Sequence, residues 1–357
     1  MNRTSFSAIF STLLFSLITS GQAHAVTFCA NNATQLRSAF SLAGSNGQDD
    51  EIRIRNVVMP ASGSLSVTGT YVANITDGKS IDVSGGWTDN SCSIPSDDPT
   101  ATVLLPAANR RTVEFSNAAP VNGINPVVKL HNLTLEGNGP NSQLVGCAAS
   151  ATGRMKFLFQ RVIVTDVSCG GATVAVTTWG ESVLVRGNLF TSNSANDATV
   201  LRVYADMNGN SPTGITFSNN TLVGNTTATS TELVRISTPT SVYYENNVLW
   251  DNAYPSASGQ PNELYAGVGY QIRNNLFQYP LAGLLIGNQN LNANPMFASL
   301  TDLRPTRSSP LRNAGTINAV GLLTSLDLQG NDRVKENAVD IGAYEYDPNQ
   351  IFSSGFD

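Results

Sequence analysis

The chain has 357 residues, with 20 Lys and Arg against 26 Asp and Glu, and only 13% of its residues are charged. A formal charge of −6 argues against nucleic acid or an anionic membrane surface as a partner. Gly occurs 30 times, and Asn, Ser and Thr are plentiful, which favours strands and turns over solvent-exposed helices.

Residues 1–25 read as an export signal. Arg3 gives a positive start, "AIFSTLLFSLI" is an apolar stretch of signal length, and Ala23 and Ala25 are the small residues a cleavage site needs. The other reading, an uncleaved anchor, is disfavoured because the stretch is shorter than the ~20 residues that cross a bilayer. No later segment is long enough to span. Cleavage removes one of the 20 basic residues, leaving 19 against 26 acidic ones and a net charge near −7. An exported, soluble protein is expected.

Four cysteines follow: Cys29, Cys92, Cys147 and Cys169. An even count in an exported chain suggests two disulfides, for which three pairings exist. Cys147 and Cys169 lie about one repeat apart, so they are expected to pair, and Cys29–Cys92 follows by elimination. No CxxC spacing or histidine partner supports zinc, and no metal is expected. The stretch Thr34 to Ala43 places Leu36, Phe40 and Ala43 on one helical face, a suitable lid. Ile52 and Ile54 then alternate as a first strand.

From there a repeat sets in. "VVKLHNLTL", "FLFQRVIV", "VLVRGNLF", "ITFSNNTL", "VYYENNVL" and "YQIRNNLF" share a turn position at Asn132, Arg161, Gly187, Asn219, Asn246 and Asn274. The spacings are 29, 26, 32, 27 and 28 residues, and apolar residues alternate before each turn. Propeller blades would need ~40–45 residues each, and none of these repeat segments carries a helical stripe. The expected fold is all-β: a single-stranded right-handed parallel β-helix, a pectin-lyase-like solenoid, over 26–291, with the helical lid at its start. Asn tolerates the left-handed backbone of a sharp turn, so Asn132, Gly187, Asn219, Asn246 and Asn274 are expected to form a structural turn ladder, the Asn side chains bonding up the column.

Residues 292–348 hold few strands and read as an irregular cap around the last coil. The residues Asn294-Pro295, Phe297, Asp302, Ser309-Pro310, Ala314-Gly315, Asp327, Gly330, Arg333 and Asp340-Ile341-Gly342-Ala343-Tyr344-Glu345 resemble the choice-of-anchor Q domain that ends many bacterial β-helix surface proteins. "VSGGWTDNSCSIPSDDPTATVL", Val83 to Leu104, is similar to an early coil of the polymorphic outer membrane proteins. The resemblance implies a β-helix exposed on or outside a bacterial cell, the periplasm remaining open, and implies no reaction. The tail 349–357, which ends in "IFSSGFD", reads as either a sorting or recognition tail or an unpacked terminus.

Catalytic patterns are sparse. After the signal the sole histidine is His131, beside a turn, and Asp49-Asp50 and Asp97-Asp98 fall early in the chain. One constellation can be built by register. Aligning "VLRVYAD", "LVRISTP" and "NELYAGV" puts Arg202, Arg235 and Glu263 in one outward column and Tyr204, Ser237 and Tyr265 in the next. Glu263 is then expected to bond Arg235, the tyrosines to stack on sugar rings, and the arginines to hold a uronate carboxylate. Trp250, Asp251 and Tyr254 follow the Asn246 turn, and Trp179 occupies a similar loop; these aromatics suit either sugar contact or filling beneath a loop. The expected function is binding of a polysaccharide or cell-surface glycan without catalysis and without cofactor. The alternatives are a polysaccharide lyase, with Ca²⁺ and with Arg202 or Arg235 as base or carboxylate clamp, and a structural or adhesive spacer.

Overall fold

The computed structural model describes residues 25–348 apart from 57, 61–69, 108–109, 118–124, 138–139, 142–145, 180, 196–199, 207–213, 231, 240, 256–262, 267–269, 280–288, 320–325 and 336–337. The proposed signal before residue 25, the tail and most of the loop after Pro255 therefore lie outside the described residues.

Alternating apolar residues produce short strands, and each strand pairs in parallel with the one a coil away. One sheet has 15 strands. Its main path runs through Val26–Ala30, Asp50–Arg55, Ile81–Trp87, Val127–Glu136, Lys156–Thr165, Val183–Arg186, Ile215–Ser218, Val242–Glu245 and Tyr270–Arg273. A seven-stranded sheet climbs from Tyr71–Ile75 to Leu264–Ala266, and a four-stranded one joins Pro140–Asn141 to Thr226–Thr227. The architecture is a parallel β-solenoid, as the repeat requires.

Register explains the core. Val113, Ala149, Val174, Leu201, Val234 and Leu264 are successive partners in the seven-stranded sheet, and all are buried. Each large aliphatic member contributes roughly 1.5–3 kcal/mol through burial. Aromatics fill the wider parts: Phe217 and Tyr244 stack at 4.9 Å between centroids, and Tyr244 continues to Phe277 at 6.2 Å. Helix Ala33–Ala43 closes the first coil, burying Leu36, Ala39, Phe40 and Ala43, with Asn32 as its N-cap. Both disulfides are present, Cys29–Cys92 and Cys147–Cys169.

The expected turn positions all adopt positive φ: 54° at Asn132, 52° at Arg161, 62° at Gly187, 53° at Asn219, 58° at Asn246 and 53° at Asn274. Arg161 carries the conformation without the tolerance of Asn or Gly, and an ion pair to Asp97 at 3.1 Å holds its side chain.

The hydrogen-bonded ladder is one residue later than expected. Asn188, Asn220, Asn247, Asn275 and Asn290 form it, each Nδ2 donating to the next Oδ1 at 2.9–3.0 Å. The same Oδ1 accepts a backbone N–H, and Nδ2 also donates back to the coil below, as from Asn247 to the Phe217 carbonyl at 2.9 Å. A second ladder joins Asn193, Asn225 and Asn252 at 3.0 Å. The left-handed residue interrupts strand alternation, so its own side chain leaves the coil while its successor turns inward. Fully satisfied amides can then occupy the interior at little cost.

The outward amides of the first column bond each other at one step, Asn246 Nδ2 donating to Asn219 Oδ1 at 3.4 Å, and otherwise have a different task. Asn246 accepts from Thr316 N at 2.8 Å and donates to the Thr316 carbonyl at 3.0 Å, and Asn274 donates to the Ala314 carbonyl at 3.0 Å. Asn219 donates towards the Asp340 and Gly342 carbonyls. The C-terminal region thus runs along the side of the solenoid over several coils instead of only wrapping the last one. Its own frame is a buried network: Arg333 bonds Glu345 at 3.0 Å and the Gly342 and Ala343 carbonyls, while Asp340 accepts from Asn313 N and Tyr346 N. Gly342, at φ 105°, lies where a Cβ would meet Thr221 Oγ1 at 2.8 Å.

Candidate carbohydrate-binding face

The outward side of the seven-stranded sheet carries the constellation drawn from the sequence, with one rung changed. Arg202 pairs with Arg235 and Tyr204 with Ser237, as expected. Arg235 is then opposite Tyr265, not Glu263. The last rung is displaced by two residues relative to the expected alignment, which keeps Leu264 inside but removes Glu263 from the column.

Two like charges on adjacent rungs, about 4.8 Å apart, need compensation. Arg235 finds it three residues back, in Glu232 at 2.5 Å. Burial works against its charge, but the Glu232 carboxylate and the Tyr204 hydroxyl more than offset this and hold the guanidinium above its ordinary pKa. Each arginine also sits over a ring: Arg202 Cζ is 5.3 Å from the Tyr204 centroid, and Arg235 Cζ is 5.8 Å from that of Tyr265. Arg202 has no hydrogen-bond or ion-pair partner among the described residues, and its Nε is shielded from solvent without an acceptor. Tyr265 is 44% exposed. The result is a polar, aromatic stripe with one cation paired to Glu232 and one without an acidic partner among the described residues.

Glu263 has turned inward. It is fully buried, accepts from Tyr279 N at 3.0 Å and from Tyr254 Oη at 3.4 Å, and its backbone carbonyl receives the Leu233 and Val234 N–H groups. Burial pushes its carboxyl up to about 8. Tyr254 belongs with it, packed on the core and edge-on to Tyr279. Trp250 and Asp251 also fall outside the stripe. Trp250 is in the 15-stranded sheet, opposite Val223, and packs, as Phe297 of the C-terminal region does, against the buried clusters that contain Val223, Leu303, Val248 and Ile341. Asp251 is an exposed turn residue at φ 53°. Trp179 ends strand Val174–Trp179, half-buried, and shares the seven-stranded sheet with the stripe, opposite Asp206.

A second cluster involves the one histidine. His131 Nε2 is 2.8 Å from Asp82 Oδ1, and Lys129 Nζ is 3.0 Å from Oδ2. Burial opposes the Asp82 charge, yet the His131 hydrogen bond and the neighbouring cations hold it below its ordinary range. Burial lowers His131 further than Asp82 can raise it. The three side chains satisfy one another across two coils, which describes an inter-coil tie. Among the described residues, no group of three or more His, Cys, Asp and Glu is placed to hold a metal ion, and no helix is long and apolar enough to cross a membrane. No family model and no curated protein matches the chain.

Proposed function

We propose that the protein is exported and binds a polysaccharide or cell-surface glycan through the outward face of the seven-stranded sheet, without catalysis. The supporting observation is the vertical alignment of Arg202 with Arg235, each over a tyrosine ring, with Tyr265 open to solvent. Aromatic faces suit the apolar faces of sugar rings, and guanidinium groups suit carboxylates and hydroxyls. Rungs recur along the axis at a spacing that an extended polymer can follow. Two disulfides fit an oxidising compartment, and the sequence before residue 26 fits an export signal. The resemblance of residues 294–348 to a choice-of-anchor Q domain agrees with a place at a bacterial cell surface.

The deciding experiment is a glycan-array screen of residues 26–357, followed by titration of Arg202→Ala, Arg235→Ala and Tyr265→Ala on any hit. Saturable binding that each substitution weakens about tenfold or more is the expected result, since one lost contact of about 1.4 kcal/mol has that effect. Unchanged binding in all three would remove the stripe. Release of unsaturated, ultraviolet-absorbing product would instead assign a lyase.

A further inference from the structure

The glycan-binding reading leaves the charge selectivity of the face open, and the local geometry bears on it. Glu232 is only 14% exposed and sits against Arg235, while Arg202 one rung away lacks any acidic partner among the described residues. A ligand carboxylate could displace Glu232 from Arg235 only by leaving that carboxylate largely out of water with no cation, an outcome that is strongly unfavourable. Glu232 is also fixed by its backbone, since its N–H donates to Ser230 Oγ at 3.1 Å.

On that reading, we propose that Glu232 sets the anion capacity of the face, neutralising Arg235 so that Arg202 alone takes an acidic group and glycans with sparse carboxylates are preferred over densely charged ones. Where every sugar is acidic, the carboxylate beside the one on Arg202 meets the Glu232–Arg235 pair and is repelled by Glu232. Where sugars are mostly neutral, the neighbouring units meet Tyr204, Ser237 and Tyr265, which ask for no charge.

The test uses residues 26–357 and a soluble β-glucan in three forms: unmodified, sparsely oxidised at C6 to carboxylate, and fully oxidised. The wild type is expected to bind the sparse form about tenfold more tightly than the others, the size of one charge-assisted contact. Glu232→Gln keeps the side chain's shape and should move the preference to the fully oxidised polymer, with a steeper loss of affinity as salt rises. Arg202→Ala should erase any preference for charge. Thermal unfolding of each variant, compared with wild type, separates a binding effect from a folding one. Equal binding of all three forms, with Tyr265→Ala weakening each, would overturn the selectivity while leaving glycan binding in place. An unchanged ranking in Glu232→Gln would overturn it as well. Failure of every form to bind would overturn the selectivity, and glycan binding falls with it only where the glycan array also gives no hit.

Discussion

Replacing Asn247 by Ala tests whether the inner amide ladder holds the coils together. The Asn247 side chain accepts from Asn220 N at 2.9 Å and from Asn220 Nδ2 at 3.0 Å, and it donates to the Phe217 carbonyl at 2.9 Å and Asn275 Oδ1 at 3.0 Å. Asn275 Oδ1 keeps the backbone N–H of residue 247. Asn220 N–H and one Asn220 amide hydrogen lose their partner, and the Phe217 carbonyl loses one donor, at a fully buried site. Leaving a buried polar group unsatisfied costs about 1–3 kcal/mol, so the sum is about 3–6 kcal/mol after partial relaxation. That is a large share of a typical total stability of roughly 5–15 kcal/mol. The neighbouring Asn246→Gly should cost less, because Gly keeps the left-handed turn and the lost bonds face the C-terminal region. Urea unfolding followed by circular dichroism gives the global change, and amide exchange at Asn220 and Asn247 shows whether the opening is local. A cost below about 1 kcal/mol for Asn247→Ala would refute the ladder as a main inter-coil tie.

Glu263, pushed up to about 8 by burial, binds its proton more tightly folded than unfolded. Between about 4.5, its ordinary value, and about 8 the folded state therefore holds more protons, and stability declines as pH rises through that window. Glu263→Gln should flatten the decline, which is on the order of a few kcal/mol, in chemical unfolding at a series of pH values. Gly342→Ala places a methyl group 2.8 Å from Thr221 Oγ1 and should loosen the C-terminal region from the solenoid; limited proteolysis of residues 294–348 would show it, while wild-type resistance would contradict it. Replacing both members of a disulfide by Ser should cost about 4 kcal/mol for Cys29–Cys92 and about 3 for Cys147–Cys169, because the first closes a separation of 63 residues and the second one of 22. Thermal melts in which the shorter bridge matters more would contradict loop closure as the cause.

The solenoid and its turns were legible because both signals repeat. Alternation before each turn fixes the strands, and a near-constant period fixes how they stack. The ladder was harder to place, since both members of an Asn pair look alike in a sequence. Only the backbone decides which goes inward: the left-handed residue turns its side chain out, and the next one turns in. A usable signal was present, because Asn188 and Asn193, Asn220 and Asn225, and Asn247 and Asn252 repeat one five-residue spacing. The displacement of Glu263 has a different origin. A shift of two residues preserves which positions face inward, so Leu264 stays in the core under either alignment and the pattern cannot choose. For Trp250 the sequence left sugar contact and filling beneath a loop open, because a short apolar strand carries no mark of what covers it; the structure packs it against buried clusters.

The face proposed to bind glycan also follows from how the other surfaces are used. The interior is filled by aliphatic columns, aromatic stacks and amide ladders. The turns of the 15-stranded sheet are occupied by the C-terminal region, through Asn219, Thr221, Asn246 and Asn274. One outward column of that sheet, Gln160, Arg186, Ser218 and Glu245, is buried, while Leu158, Leu184 and Tyr243 two residues before it are half-buried. On the seven-stranded sheet Arg202, Tyr204, Arg235 and Ser237 are half-buried and Tyr265 is exposed, so charge and aromatic surface meet in one stripe. A stacked fold needs outward residues only to be polar and compatible with their neighbours above and below. Arg202 beside Arg235 is an expensive way to meet that requirement, since serine and threonine occupy the same sheet a few rungs earlier, at Ser150, Thr152 and Thr177. A guanidinium without an acid partner among the described residues, on the rung beside one that has its own, is the arrangement a negatively charged ligand would complete.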